Sequence, residues 1–336
     1  MDVVHWNVSE EVGPAFGTAK YEQKLYDNIS DRERIRQIQR RSGSLVGNMP
    51  ISWVERYRRY DADLVHATFQ TVAPASFIHP PDNFVVTVHD LAPLVYPDEV
   101  RDASLKLQWQ LTPPALRRVD KIIAISQFTK EEINRLMGIP LSKISVIHQG
   151  VDHELYRPIG KFKARDYFGL EPDGTYILIV SSDLEHKRVD EVTEIIARIR
   201  EEYADAKILK AGYGQALTGE NIINTGWVSE KDMPLLYNAV DLYLHTSEYE
   251  GFGLPILEAM ACGTPVVARN VASIPEIVGD CFELVSLNAS PREFAEMTFS
   301  SLDVESPVQG AVTRSKMFSW EKTARETADV YHSLLN

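Results

Sequence analysis

Cysteine is almost missing from this chain: its 336 residues hold two, Cys262 and Cys281, too few for a disulfide framework and not spaced as metal ligands. Both read as reduced, structural thiols. Long hydrophobic runs are missing too. No stretch approaches the roughly 18 uninterrupted apolar residues of a membrane span, and the opening MDVVHWNVSEE has neither the basic nor the apolar region of a signal peptide. The expectation is a cytoplasmic chain. Nor is there an excess of positive charge: 35 Lys and Arg stand against 48 Asp and Glu, a net charge of −13. That argues against nucleic acid as a partner, because a phosphate backbone needs a basic field. The acidity is concentrated: residues 1–160 carry 19 basic and 20 acidic side chains, residues 161–336 carry 16 and 28.

What is there suffices for two cores, since 44% hydrophobic and 25% charged residues describe an ordinary globular chain of two domains. The near-neutral half has one basic concentration. Arg32, Arg34, Arg36, Arg40 and Arg41 fall in one run, and Arg56, Arg58 and Arg59 follow among Trp53, Tyr57 and Tyr60. Such a stretch suits anionic lipid headgroups at a membrane face or a phosphorylated acceptor. Its plainer alternative is a solvated helix face paired with Asp31, Glu33 and Glu55.

Short β-branched runs alternate with helical segments throughout. Residues 63–68, 83–90, 120–126 and 143–150 read as buried parallel strands of a first α/β domain. Between them Thr129 and Glu132 form a capping-box pattern, with Gly138 as the stop. No clear second strand is legible between residues 30 and 60. Residues 152–175 are polar and turn-rich, and read as the interdomain linker. The alternation resumes at 176–182, 206–212, 221–226, 241–246, 264–270 and 282–286, giving a second α/β domain. A closing helix runs from about Trp320 to Leu335, with Ser319 as its cap and Ala324, Ala328, Tyr331 and Leu335 on one stripe.

In doubly wound sheets ligands collect beyond the carboxyl ends of the strands. After the run 241–246 comes SEYEGFGLPILEAMACGTPVVA (247–268), a glycine loop with Gly251, Phe252 and Gly253 that enters a helix near Leu254 and Pro255. The free N–H groups of that first turn, with the helix dipole behind them, suit a diphosphate. Glu258, expected in the first turn, could accept hydrogen bonds from ribose hydroxyls, and Glu250 from hydroxyls of a sugar. The plainer alternative is a tight turn followed by an acid that complements the helix dipole.

The segment EGFGLPILEAMACGTPVV closely resembles the glutamate-x7-glutamate signature of retaining family 4 (group 1) glycosyltransferases. GPAFGTAKY (13–21), VTVHDLAP (86–93), AISQFTKEEI (124–133), VIHQGVD (146–152), DLEHKRVDEV (183–192), GWVSEKDMPLLYNAVDLYLHTS (226–247) and FSWEKTARETADVYHSLL (318–335) match in the same order. The resemblance therefore covers nearly the whole chain. It implies a GT-B fold, two doubly wound Rossmann-like domains facing each other across a cleft: an acceptor-side domain at 1–155, a nucleotide-sugar-binding domain at 156–317, and a closing helix at 318–336 on the first.

The resemblance also implies roles. Lys187 would neutralise the diphosphate as the nucleotide departs; a solvated helix-start lysine is the alternative. His89 would contact the donor sugar where a lone histidine is otherwise a packed residue. Glu250 completes the catalytic set. Gly17, Ser182, Arg188, Gly212, Trp227 and Val228 join the glycine loop and Glu258 in binding the nucleotide-sugar donor, with Thr18 and Gly214 as weaker neighbours. No metal and no cofactor are expected, because helix dipoles replace the ion. The acceptor would be a glycan, a lipid-linked sugar or a small molecule. In one respect the chain departs from the family: Ser182 stands where an arginine is usual, five residues before the lysine. Arg188 is the candidate substitute, and a non-catalytic binding or regulatory protein stays open beside the transferase.

Overall fold

A computed structural model describes residues 1–10, 17–40, 61–182, 184–212, 214, 216–303 and 308–335. The chain forms two compact units, Met1–Gly150 with Trp320–Asn336, and Val151–Ser319. The first unit is thus assembled from both ends of the chain, the second from one continuous piece.

The first unit carries a parallel sheet in the order β2-β1-β3-β4-β5-β6. Its strands are β1 (Asp2–Glu10), β2 (Arg34–Arg40), β3 (Leu64–Ala67), β4 (Phe84–Val88), β5 (Lys121–Ala124) and β6 (Ile144–Val146). β3 and β4 are buried at every position, which is why these runs are continuously apolar rather than alternating: helices cover both faces of such a sheet. Val65, Val86 and Ile122 pack with Trp109, Leu116 and Ile133 in one core. The helix Gln127–Met137 begins one turn earlier than its sequence pattern suggests. Ser126, not Thr129, is the cap, its Oγ accepting from the Thr129 N–H at 3.0 Å, and Gly138 ends the helix in the left-handed region at φ 67°.

β2 overturns two expectations at once. The arginine run is an edge strand, not a helix face, and a strand is present where none was legible. An edge strand has a neighbour on one side only and tolerates arginine and glutamine where a central strand does not. Arg36 accordingly reaches out to Asp2 and to the Asp61 carbonyl, at 3.2 and 2.6 Å. The remainder of the basic, aromatic stretch, from Arg41 through Trp53 to Tyr60, lies outside the described residues.

The first unit also has polar groups in its core. Tyr331 Oη, from the helix Trp320–Leu335, lies 3.1 Å from His5 Nε2 and 2.6 Å from His66 Nδ1, while His66 Nε2 and Tyr21 Oη meet Thr87 Oγ1 at 2.8 and 3.0 Å. Burial holds the His5 imidazole down to about 3. Burial, joined by the neighbouring His5 and His89, holds His66 well below its ordinary value. Both rings are therefore neutral at pH 7.

The second unit carries β7 (Tyr176–Val180), β8 (Lys207–Ala211), β9 (Ile222–Gly226), β10 (Leu242–His245) and β11 (Val266–Ala268), parallel and in the order β11-β10-β7-β8-β9. Residues 282–286 do not extend this sheet. Val285 alone pairs, in an isolated bridge to Arg269, because it is the only residue of that run that is buried. Residues 152–175, expected as a linker, are fastened to this unit instead. Arg165 Nε donates to the Ala239 carbonyl at 2.9 Å, and Asp241 accepts from Arg165, Lys161 and the Tyr176 N–H, each at 2.8 Å. The strand order reverses at β7, with β8 to one side and β10 to the other. Such a reversal opens a crevice beyond the carboxyl ends of the two diverging strands.

Candidate active site

The segments that follow β7 and β10 flank this crevice. After β7 the chain makes two 3-10 turns, Glu185–Lys187 and Val189–Glu191, and Arg188 between them takes a left-handed conformation at φ 51°. After β10 come Thr246 to Glu250. The two are stitched together: Thr246 Oγ1 donates to the Lys187 carbonyl at 2.7 Å, and the Glu248 N–H donates to the His186 carbonyl at 2.8 Å. Beneath them sits a buried cation that sequence reasoning missed. Arg269, 1% exposed, donates from Nε to the Thr246 carbonyl at 2.9 Å, from Nη1 to the Leu287 and Ala289 carbonyls at 2.6 and 3.2 Å, and pairs with Glu191. The sequence signal was an arginine ending the apolar run VVA, where a charge survives only if fully partnered.

This stitching brings Lys187 against Glu250. Lys187 Nζ donates to Glu250 Oε1 at 2.7 Å, and His245 Nε2 lies 3.0 Å from the same oxygen. Glu250 is under two opposed influences. Burial favours the neutral acid, while the Lys187 charge and His245 favour the carboxylate; the second set wins, and the group is held well below the ordinary carboxylate range. It is ionised at any physiological pH. Its other oxygen, Oε2, has no partner among the described residues.

The glycine loop follows. Ser273 Oγ lies 2.6 Å from the Phe252 carbonyl and 3.0 Å from the Glu250 carbonyl, which pins the loop from below. Gly253, at φ 104°, caps the helix Leu254–Cys262, with Pro255 as its second residue. Only glycine takes that φ without strain. The Ile256 and Leu257 N–H groups turn back to the Gly253 carbonyl at 3.0 and 3.2 Å, so helical bonding begins there and the preceding amides lie at the mouth of the helix. Glu258 is the fifth residue of this helix, so it stands in the second turn and not the first. It is buried, and Oε2 accepts from Tyr237 Oη at 2.9 Å. The Tyr237 ring packs edge-on to Tyr243 at 5.8 Å, and Tyr243 Oη lies 2.9 Å from His245 Nδ1. A row of aromatic side chains thus joins the two glutamates.

The remaining expected residues divide by place. Gly212 ends β8 at φ 103°, and a Cβ there would lie 2.7 Å from the Ser181 carbonyl, beside Ser182; Gly214 is also left-handed, at φ 107°. Gly212 thereby borders the segment that leaves β7. Arg188 does not stand as a spare cation: it pairs with Glu191 at 2.6 Å and with Glu248 at 3.3 Å. Trp227 and Val228 follow β9, which β8 separates from β7. Trp227 is 47% exposed.

Gly17 and His89 belong to the first unit. Gly17 opens the helix Gly17–Ile29 with open space about its Cα, and Thr18 follows it. His89 is buried, with Nε2 2.9 Å from the Thr68 carbonyl and Nδ1 3.1 Å from Gln149 Nε2. The carbonyl only accepts, so Nε2 carries the proton and Nδ1 accepts from the amide. Burial, partly offset by that carbonyl, holds the ring down to about 4. Both nitrogens are engaged, and a sugar hydroxyl would have to displace a partner. Among the described residues no group of three or more His, Cys, Asp or Glu is placed to hold a metal ion.

Two families match successive parts of the chain. The one described as Glycosyltransferase Family 4 matches residues 12–155, and the one described as Glycosyl transferases group 1 matches residues 174–302. The chain is a family 4, group 1 glycosyltransferase. It is 27% identical to O-antigen chain mannosyltransferase B of Escherichia coli, over 93% of this chain and 91% of that one. It is 28% identical to D-inositol 3-phosphate glycosyltransferase 2 of Catenulispora acidiphila, over 80% and 70%. Among solved structures, sucrose-phosphate synthase from Thermosynechococcus elongatus superposes with a TM-score of 0.80 at 17% identity, over 99% of both chains. Anabaena HepE in complex with UDP and glucose does so with 0.75 at 20%, over 99% and 100%. The fold of this glycosyltransferase is GT-B, each unit contributing one parallel sheet, and its activity is transfer of a hexose from a nucleotide-sugar donor to an acceptor.

Proposed function

We propose that this glycosyltransferase transfers mannose, with retention of anomeric configuration and without a metal ion, to a hydroxyl of a glycan or lipid-linked sugar. The observation that carries the reading is the Lys187–Glu250 pair at 2.7 Å, flanking the switch point between β7 and β10. In it the amides at the mouth of the helix Leu254–Cys262 hold the diphosphate, Lys187 neutralises the charge that grows as the nucleotide leaves, Glu250 accepts from hydroxyls of the sugar, and Glu258 from the ribose. The departing phosphate itself takes the acceptor proton on the face it leaves, so no protein nucleophile is needed. Mannose is put first because O-antigen chain mannosyltransferase B and the MMP α-(1→4)-mannosyltransferase of Mycolicibacterium hassiacum are among the relatives.

The test is a panel of GDP-mannose, UDP-glucose and UDP-N-acetylglucosamine, each assayed for thermal stabilisation and for nucleotide release with and without EDTA. A donor at 100 times its Kd stabilises by about 2.7 kcal/mol. One donor should raise the melting temperature and be consumed equally with chelator present. UDP-glucose alone responding would replace mannose; loss of turnover in EDTA would replace the metal-free mechanism. The same reading places the chain in the cytoplasm, with the basic stretch Arg32–Tyr60 against anionic lipid. Sedimentation with phosphatidylserine vesicles should then succeed at low salt and fail at high salt, and absence of binding at both would remove the membrane from the proposal.

A further inference from the structure

His245 has no part in the roles set out above, yet its ring lies against Glu250 and is better buried than Lys187. It ends β10 at 5% exposure, and Tyr243, two residues earlier on the same face of the strand, is fully buried. Nδ1 lies 2.9 Å from Tyr243 Oη, and Nε2 lies 3.0 Å from Glu250 Oε1 but off the line of a hydrogen bond, so that it is buried without a hydrogen-bond partner among the described residues. The protons on this row follow from chemistry. An ionised carboxylate only accepts, so the nitrogen facing it carries the hydrogen. A neutral imidazole then has an acceptor at Nδ1, and Tyr243 Oη donates to it. Polarity runs one way, from Tyr243 through His245 to Glu250.

We infer that His245 is a positioning residue that holds Glu250 Oε1 so that Oε2 faces the sugar. The inference rests on the reading that Glu250 receives hydroxyls of the transferred sugar. A glutamate has three rotatable bonds, and one of its oxygens accepts from Lys187 while the His245 ring nitrogen stands 3.0 Å from the same oxygen and off line. A bound diphosphate competes for Lys187. His245 is part of β10, has no competing ligand, and its unpartnered N–H comes into line with Oε1 when the lysine turns to the phosphates. Tyr243 contributes by fixing the tautomer, so the hydrogen stays on the nitrogen that needs it.

The experiment measures nucleotide release from whichever of GDP-mannose, UDP-glucose and UDP-N-acetylglucosamine the parent enzyme consumes, together with affinity for the matching free nucleotide. His245→Leu should lower kcat on the order of ten- to a hundredfold, the cost of a misplaced group, while free-nucleotide affinity stays within about twofold of the parent. His245→Gln puts an N–H donor where Nε2 was and should recover most of the loss. His245→Asn is shorter, cannot reach Glu250, and should not. In a Glu250→Ala background His245→Leu should add nothing. Gln and Asn equally impaired, or a His245→Leu enzyme as fast as the parent beside an inactive Glu250→Ala, would overturn the inference alone. A Glu250→Ala enzyme as fast as the parent would overturn it through the reading on which it rests. Should His245→Leu not fold, the Gln and Asn variants carry the comparison.

Discussion

Lys187 and Glu250 form a pair whose worth depends on what is bound. Without ligand the lysine is one of the reasons a buried carboxylate stays charged; with a diphosphate present the same ammonium faces a growing negative charge. The second use is the one that accelerates a reaction, because it strengthens on the way to the transition state. Lys187→Ala should therefore lower kcat by roughly 100- to 1,000-fold while donor affinity, measured by calorimetry with a slowly consumed donor, falls much less. A loss confined to affinity, with turnover intact, would contradict the assignment. The variant also strands Glu250, and removing one partner of a buried pair costs about 3–5 kcal/mol of stability, so turnover has to be read well below the new melting temperature. The glycine loop was legible in the sequence as a turn signal directly after an apolar run, whereas Lys187 and Glu250 were singled out by the family resemblance. Arg269 and His245 were not. Arg269 is satisfied by Glu191, 78 residues away, and by backbone carbonyls, and no local pattern encodes such a contact.

Elements divide the same way. The strands with continuous β-branched runs were legible because burial on both faces leaves only that composition. β2 was hidden by its arginines, and residues 282–286 looked like a strand because composition does not reveal that only Val285 is covered. Glycines at strand ends give a sharper prediction. Gly212 and Gly226 are both left-handed, at φ 103° and 67°, yet a Cβ at Gly212 would meet the Ser181 carbonyl at 2.7 Å while one at Gly226 would meet nothing within 4 Å. Alanine at Gly226 should cost about 1 kcal/mol, the left-handed penalty alone. Gly212→Ala adds a clash with backbone that cannot step aside, and should cost about 3 kcal/mol or more. It should also weaken donor affinity, since the seam it forces apart borders the crevice. Urea denaturation of the two variants checks the ranking, and equal costs would show that the β7–β8 seam yields.

For the molecule as a whole, the buried histidines of the first unit set how stability responds to acid. Unfolded, each takes up a proton near pH 6.5; folded, His5 resists until about pH 3 and His89 until about pH 4, with His66 lowered as well. Across that interval the unfolded chain binds more protons, so stability is lost as pH falls, by up to about 1.4 kcal/mol per pH unit for each ring. Glu250 acts in a lower window, since its stabilisation is lost only below its unfolded value of 4.5. Urea midpoints should thus hold steady from pH 8 to 7 and fall from pH 6.5 to 5, with a shallower fall in His5→Gln. A midpoint unchanged down to pH 5 would mean that the rings are charged inside the fold.

The ring of His5 and the ring of His66 both find their hydroxyl on Tyr331, which gives the chain an order of completion during synthesis. A ribosome delivers residues 1–150 first, but His5 on β1 and His66 on β3 are not covered by Tyr331 until the helix Trp320–Leu335 emerges, some 180 residues later. Val151–Ser319, one unbroken stretch, has all its partners earlier. The half made second is therefore the half finished first, and the half made first waits, with two buried-to-be imidazoles still wet, for Tyr331 to arrive.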